Sequence, residues 1–317
     1  MSLEKISFVI PCYRSEKTIP LVAQSIKETM ALRKEYDYEI ILVNDSSPDN
    51  VFDVICDMAE KDEKIKGIDL SKNFGQHSAL MTGFRFVTGD IVVCLDDDGQ
   101  TPASELFVLV DKLLEGYDVV FAKYSNKKHS LFRNFGSTVN DLMARAMLDK
   151  PKELAMMSYF CCRRFIIDEV IKYNNPYPYV SGLLLRSTKK IANVEIHHQD
   201  RLEGNSGYTF KKLIGLWING FTSFSVKPLR IATFLGVVCA AIGFLFGIYV
   251  VLNKLFLNPS APMGYSSIMA VLVFLGGMIL MMLGLIGEYI GRIYISLNNS
   301  PQAVIRQTVN IGNKDGK

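Results

Sequence analysis

Two stretches without a single charged side chain, 231–253 (IATFLGVVCAAIGFLFGIYVVLN) and 268–287 (IMAVLVFLGGMILMMLGLIG), set the first limit on how this chain can fold. Each is long enough to cross the roughly 30 Å hydrocarbon core of a bilayer, for which a helix needs about 20 apolar residues. The connector KLFLNPSAPMGYSS carries one Lys and two prolines, so the runs are expected to form a hairpin of two transmembrane helices. Lys211, Lys212, Lys227 and Arg230 precede the first run and Arg292 follows the second, against Lys254 alone between them. That bias places both ends in the cytoplasm. Neither run contains Asp, Glu, Lys, Arg or His, which argues against a channel or proton relay and for an anchor in the cell membrane.

Just before the hairpin, Phe210, Leu213, Ile214, Trp217, Phe221 and Phe224 recur at helical spacing among Lys211, Lys212 and Lys227, the pattern of amphipathic helices lying in the membrane interface over 206–229. A packed connector helix would show the same spacing. The start of the chain, MSLEKISFVIP, lacks a basic-then-apolar leader, so the domain it opens is expected to stay in the cytosol.

Charge decides little else. The 35 basic and 32 acidic residues leave a net +3, too mild a balance for a nucleic-acid binder. Cys12, Cys56, Cys94, Cys161, Cys162 and Cys239 form no C-x-x-C pair and sit largely in apolar runs, as reduced buried thiols do.

Ahead of residue 130, ISFVI (6–10), EIILV (39–43), KGIDL (66–70), DIVVCL (90–95) and DVVFA (118–122) read as short β-strands. The segments between them, 18–33, 49–61, 76–87 and 102–115, carry apolar residues three and four apart and read as helices. Alternation of the two predicts an α/β fold: an open, mostly parallel sheet with helices on both faces. Further helices are expected over 134–147 and 164–172, with a last strand over 192–197. In such sheets ligands bind beyond the carboxyl ends of the strands. Three of those ends are rich in polar residues: IPCYRSE after the first strand, VNDSSPDN after the second, and LDDDGQ after the fourth.

The run Asp96, Asp97, Asp98 repels itself unless solvent or a divalent cation offsets the charge, and Mg²⁺ or Mn²⁺ commonly takes one or two carboxylates together with substrate phosphates. Asp45, on the same sheet edge, suits a base or ribose hydrogen bond, or else an Asx-turn; Asp49 and Ser47 read as helix caps. No G-x-G-x-x-G follows the first strand and no P-loop motif occurs, so neither a Rossmann dinucleotide site nor a P-loop is supported.

Taken together, VIPCYRSE, LVNDSSPDN, LSKNFGQHSALMTGFRFVTGD and LDDDGQTP, in this order, resemble the nucleotide-sugar-binding half of inverting glycosyltransferases of family 2, which have the GT-A fold. RLEGNSGYTFKKL, SFSVKPLRIATFLG and GLIGEYIGRIY extend the resemblance to the polyprenyl-phosphate glycosyltransferase subfamily, so that it spans Ile6 to Tyr294. The resemblance implies a GT-A domain over 1–205, interfacial helices over 206–229, and a hairpin with a cytoplasmic tail over 230–317. It implies a metal, Mg²⁺ or Mn²⁺, held by Asp96, Asp98 and Gln100, with Pro11, Tyr13, Glu16, Asp45, Asp96 and Asp97 lining the nucleotide-sugar pocket. Arg133 and Ser137 match acceptor-phosphate positions, and Arg201 matches an arginine near the donor diphosphate; Asp98, Arg133 and Arg201 are the catalytic candidates.

The implied reaction joins a nucleotide-sugar donor to a polyprenyl phosphate at the bilayer surface; a homo-oligomer is left open. Two positions depart from the pattern. Ser158 stands where relatives often carry Asp, and Gly207 where they often carry Lys. A phosphate acceptor, with a second pKa near about 6, needs no strong base, so the first departure is compatible with catalysis. His77, His197 and His198 read more readily as structural. Rival readings are a processive polysaccharide synthase, which would carry Q-x-x-R-W, a transferase to another lipid hydroxyl, and a noncatalytic membrane subunit.

Overall fold

The β-branched runs and the amphipathic stretches between them fold as their spacing predicts. The computed structural model describes residues 4–124, 145, 151, 153–196, 227–252, 256, 264–298 and 301–312. Its first part alternates β1 (Glu4–Cys12), α1 (Ile19–Met30), β2 (Tyr36–Asn44), α2 (Val51–Lys61), β3 (Ile65–Leu70), α3 (Gln76–Phe84), β4 (Ile91–Cys94), α4 (Leu106–Leu114) and β5 (Val119–Tyr124). Helix α1 buries Ile19, Val22, Ala23, Ile26 and Met30, a stripe along one side, and α2 buries Val51, Ile55 and Ala59 at four-residue intervals. β1 and the second half of β2 are buried, as expected of strands covered by helices on two faces.

Then come β6 (Phe160–Arg163), α5 (Arg164–Val170), α6 (Val180–Ser187), β7 (Ile191–Ile196) and, after the hairpin, β8 (Ile305–Val309). One eight-stranded sheet runs in the order β7-β5-β6-β4-β1-β2-β3-β8. The pairs β1–β2, β1–β4, β2–β3 and β5–β7 are parallel, whereas β6 is antiparallel to β4 and β5, and β8 is antiparallel to β3. Chain order reverses between β1 and β4, because β2 and β3 build outward on one side of β1 and β4 returns on the other. Such a reversal opens a crevice at the carboxyl edge, where the connecting helices leave in opposite directions. It lies between the residues that follow β1 and those that follow β4.

Three elements escaped the sequence reading. β6 is only four residues long and its cysteines mimic no alternation; Cys161 and Cys162 are nevertheless fully buried in it. α6 is short, and β8 is mostly exposed, so neither shows a strong apolar period. β8 adds a strand that the expected domain plan lacked. Ser300–Lys317 groups with Met1–Leu213 as one compact unit, while Ile214–Asn299 forms the other. Val309 faces Gly67 in β3, where a Cβ on the glycine would stand 2.6 Å from both Val309 Cγ1 and Ile55 Cγ2, so the bare backbone lets strand and helix close on each other. The boundary expected near 205, the interfacial segment up to 226 and nearly all of the helix expected over 134–147 lie outside the described residues.

In the second unit, α7 (Lys227–Leu252) and α8 (Tyr265–Leu297) carry the two charge-free runs. Phe274–Gly291 of α8 is long and apolar enough to cross a membrane; the apolar stretch described in α7, Ala232–Phe246, is shorter. Phe234, Phe244 and Leu245 on α7 and Ile279, Leu280 and Leu283 on α8 are exposed. Helices with this many exposed apolar side chains among their described residues suit lipid rather than water.

Away from the crevice, at the other end of the strands, Glu39 in β2 is 1% exposed. Its Oε1 accepts from Ser7 Oγ (2.6 Å), Thr88 N–H (2.6 Å) and Thr88 Oγ1 (2.8 Å), and Lys66 Nζ stands 2.6 Å from Oε2. Burial alone would push this carboxyl up, but the Lys66 ammonium and the Ser7 and Thr88 donors outweigh it and hold the group at about 2 against an ordinary 4.5. A carboxyl depressed on folding adds stability that is fully present above about 4.5 and is lost as pH falls toward about 2. Glu39→Gln is therefore expected to cost about 3 kcal/mol at pH 7, with the gap to the unsubstituted protein narrowing steadily below pH 4.5. Thermal melts of both proteins in detergent at pH 7 and pH 3 read this directly; a constant gap would show that the charge is not what Glu39 contributes.

Candidate active site

At the carboxyl edge, the backbone turns sharply after each strand, and these turns carry the polar residues. Arg14 and Ser46 adopt the left-handed region (φ 58° and 49°), positions where a non-glycine residue is strained and which cluster at functional sites. The two turns are tied together: Arg14 N–H donates to Ser47 Oγ (2.7 Å), and Asp45 N–H donates to the Cys12 carbonyl (3.1 Å). Across the crevice, Tyr13 N–H donates to Asp97 Oδ2 at 2.8 Å, which fixes the β1 turn against the acidic run. Tyr13 is 45% exposed, and the Arg14 guanidinium lies over its ring, 5.6 Å from the centroid.

The acidic run is built from Leu95 onward, just past the end of β4. Asp96 receives Gln76 Nε2 on Oδ1 (3.1 Å) and the Ser158 hydroxyl on Oδ2. Register explains the second bond: Cys94 pairs with Phe160 in antiparallel β6, which sets Ser158 opposite Asp96 two residues further along. Burial pushes the Asp96 carboxyl up to about 6; the Ser158 hydroxyl opposes this, and the charges of Asp98 and Asp97 add to it. Asp97 is also raised, chiefly by burial and against the pull of the Tyr13 amide. Asp98 Oδ1 accepts from Gln100 N–H at 3.0 Å, closing a tight turn at Gly99 (φ 75°). Tyr124, at the end of β5, is raised to about 12 by burial and then by the Asp96 and Asp98 charges, which places its phenol on the border of the same cluster.

This excess of half-buried negative charge fits a divalent cation. Among the described residues no three His, Cys, Asp or Glu side chains converge on one point. Two carboxylates at a substrate-facing edge are nevertheless the donor set that Mg²⁺ or Mn²⁺ shares with a diphosphate.

Other expected site residues have more structural duties. Pro11 is buried in β1 opposite Val43. Glu16 is bonded twice to the turn before α2: Glu16 N–H donates to Asp49 Oδ2 and Asn50 N–H donates to Glu16 Oε2, both at 3.1 Å, so Glu16 secures the start of α2. Asp45 accepts from Phe74 N–H (2.7 Å) and Gly75 N–H (2.8 Å), clamping the β3–α3 loop where Gly75 takes φ 89°. Burial raises its carboxyl, against those two amides. His77 is half-buried; desolvation pushes its imidazole down to about 4, and its ring stands edge-on to Tyr179 with centroids 5.2 Å apart. Arg133, Ser137, Arg201, Gly207, His197 and His198 lie outside the described residues. Gln76 and Tyr124 were missed as site residues; for Gln76 the signal was its place as the first residue of a helix that follows a strand end.

An open sheet with this order, and an acidic run at its point of reversal, belongs to the class of GT-A glycosyltransferases. Residues 7–172 match the model of glycosyl transferase family 2, and 227–293 match that of the GtrB C-terminal hairpin. Undecaprenyl-phosphate 4-deoxy-4-formamido-L-arabinose transferase of Proteus mirabilis (strain HI4320) is 35% identical over 316 residues, 98% of this chain and 95% of the relative. The uncharacterized glycosyltransferase YkcC of Bacillus subtilis (strain 168) is 32% identical over 309 residues, 97% of this chain and 95% of the relative. In fold the chain is similar to glucosyl-3-phosphoglycerate synthase from Mycobacterium tuberculosis in complex with uridine diphosphate, with a TM-score of 0.52 at 20% identity, covering 70% of this chain and 79% of that one. The chain belongs to glycosyltransferase family 2, and it is an enzyme of sugar transfer.

Proposed function

We propose that this enzyme moves a sugar from a UDP- or GDP-sugar to a polyprenyl phosphate, undecaprenyl phosphate, at the cytoplasmic face of the membrane, with inversion at the anomeric carbon. One observation carries the reading: the likeness to undecaprenyl-phosphate transferases runs through the sugar-transfer half and the apolar hairpin alike, over 97–98% of the chain. A soluble donor and a bilayer-bound acceptor need a site in water with an anchor in lipid, and the chain joins the two.

The strand β8 supports two crossings. It pairs with β3, so the segment between 227 and 305 starts and ends on the side of the sheet. An even number of crossings follows, and if the long apolar stretch of α8 spans, α7 spans with it. In this plan residues 1–205 and 300–317 form the catalytic domain, 206–229 lie in the interface, and the hairpin fills the bilayer.

Asp96, Asp98 and Gln100 are the residues to hold Mg²⁺ or Mn²⁺, whose charge would offset that developing on the departing nucleoside diphosphate. Tyr13, held by Asp97, offers its ring to the nucleoside, beside the turn that Asp45 secures. Arg133 and Ser137 bind the acceptor phosphate and Arg201 the donor diphosphate, orienting both for an in-line approach. The acceptor oxygen is already ionised near neutrality, so Ser158 in place of a carboxylate leaves the attack intact and serves Asp96 instead. A single displacement of this kind inverts the anomeric carbon. The test is to incubate the purified chain with undecaprenyl phosphate, Mn²⁺ or Mg²⁺ and a panel of UDP-, GDP- and dTDP-sugars, and to read the lipid fraction by mass spectrometry. A lipid-phosphate monosaccharide is expected, with the inverted linkage read by NMR of the purified product; a panel without any such product would overturn the proposal.

A further inference from the structure

The strand that follows the hairpin reaches the donor edge of the site. Ser71, the first residue after β3, is held by it on two sides: its N–H donates to the Val304 carbonyl at 2.9 Å, and its carbonyl accepts from Arg306 Nη2 at 2.9 Å. Arg306 Nη1 stands 3.4 Å from Asp69 Oδ2; the Asp69 side chain is 4% exposed. Asp69 Oδ1 accepts from Asn44 Nδ2 (2.7 Å), and Asn44 Oδ1 accepts from Ser47 N–H (3.1 Å) in the β2 turn. Three residues after Ser71, the amides of Phe74 and Gly75 are taken by Asp45, and the next side chain, Gln76, reaches Asp96. The loop 71–75 is thus pinned at its start by the C-terminal strand and at its end by Asp45, and it delivers Gln76 to the acidic run.

We infer that Arg306 is a positioning residue for this reaction: from beyond the hairpin it fixes the β3–α3 loop, and through that loop the Gln76–Asp96 contact at the donor site. The inference rests on the proposed function in taking the Asp96 edge as the donor site. The guanidinium meets a carboxylate and a carbonyl at once from a forked, planar group, which an ammonium cannot reproduce in full. As an ion pair it is weak, because Arg306 itself is 57% exposed. Its effect is therefore expected in loop geometry rather than in global stability. The strand has a second fastening to compare with: Asn310 Nδ2, at its far end, donates to the carbonyls of Ala59 and Ile65, away from the loop.

The test uses the full-length protein in detergent, as Arg306→Ala, Arg306→Lys and Asn310→Ala. Amide hydrogen exchange at Phe74 and Gly75 is expected to speed up about tenfold in Arg306→Ala, to recover partly in Arg306→Lys, and to stay unchanged in Asn310→Ala even where that variant melts earlier. Titration with UDP or GDP plus Mn²⁺ is expected to show affinity about fivefold weaker for Arg306→Ala, with KM for the donor sugar nucleotide raised and kcat held within twofold. Unchanged exchange at Phe74 and Gly75 in Arg306→Ala, or an equal rise in Asn310→Ala, would overturn the inference by reducing the strand to a cover for the sheet edge. An unsubstituted protein that binds neither nucleotide would instead overturn the donor-site reading, whatever the exchange pattern.

Discussion

Asp98→Asn is expected to lower sugar transfer by about 10²- to 10³-fold, the usual cost of removing one preorganised electrostatic partner of the departing group, while leaving the fold intact. The substitution is nearly isosteric, and Asn keeps an oxygen able to accept from the Gln100 amide that now meets Asp98 Oδ1 at 3.0 Å. The turn at Gly99 therefore survives, and what is lost is charge. Asp98 is the better probe than Asp96, whose two oxygens already serve Gln76 and Ser158, so that a change there would disturb the α3 start and the β6 approach together. The measurement is turnover at saturating donor and acceptor across a series of Mn²⁺ concentrations, with a thermal melt in parallel. Full activity with an unaltered melt would remove Asp98 from the metal and diphosphate site. Loss of activity together with a collapsed melt would point to folding instead.

The sheet edge was legible because parallel strands buried on two faces write themselves as short, continuous β-branched runs, and the crevice of an open sheet must lie where such runs end. Asp96–Asp98 and Asp45 were located on that reasoning alone. What stayed hidden depends on pairings that no local pattern encodes. Ser158 is brought to Asp96 only by the antiparallel register of β6, a four-residue strand with no alternation to announce it. Two bonds tie Glu16 to Asp49 and Asn50, in a turn 33 residues further on, so a carboxylate that reads as a pocket residue is found holding the Asn50 amide at the start of a neighbouring helix. β8 was hidden for a related reason: an edge strand largely in solvent has little apolar signal, and its partner β3 lies more than two hundred residues earlier, as the separation of 237 between Arg306 and Asp69 illustrates. The same strand changes how the hairpin has to be tested.

Cutting the chain at Leu229 removes the apolar helices, but it also strips β8 from β3, frees Ser71 and uncovers a sheet edge that would be open to pairing with other chains. A loss of activity in that truncation would not separate anchoring from damage to the donor site. The informative variant replaces 227–299 with a flexible Gly/Ser linker and retains Ser300–Lys317, so that β8 can return to its place. With the catalytic unit preserved, turnover of a short-chain, water-soluble prenyl phosphate is expected to stay within about twofold of the full-length enzyme. Turnover of undecaprenyl phosphate embedded in vesicles is expected to fall by about 10²-fold or more, because the anchor converts the search for a lipid headgroup into an encounter at high effective concentration. Both rates come from one preparation assayed against two acceptors, and their ratio cancels errors in the active fraction. A ratio unchanged from that of the full-length protein would mean that the hairpin does not bring enzyme and acceptor together, and that its two apolar helices serve something other than access to lipid.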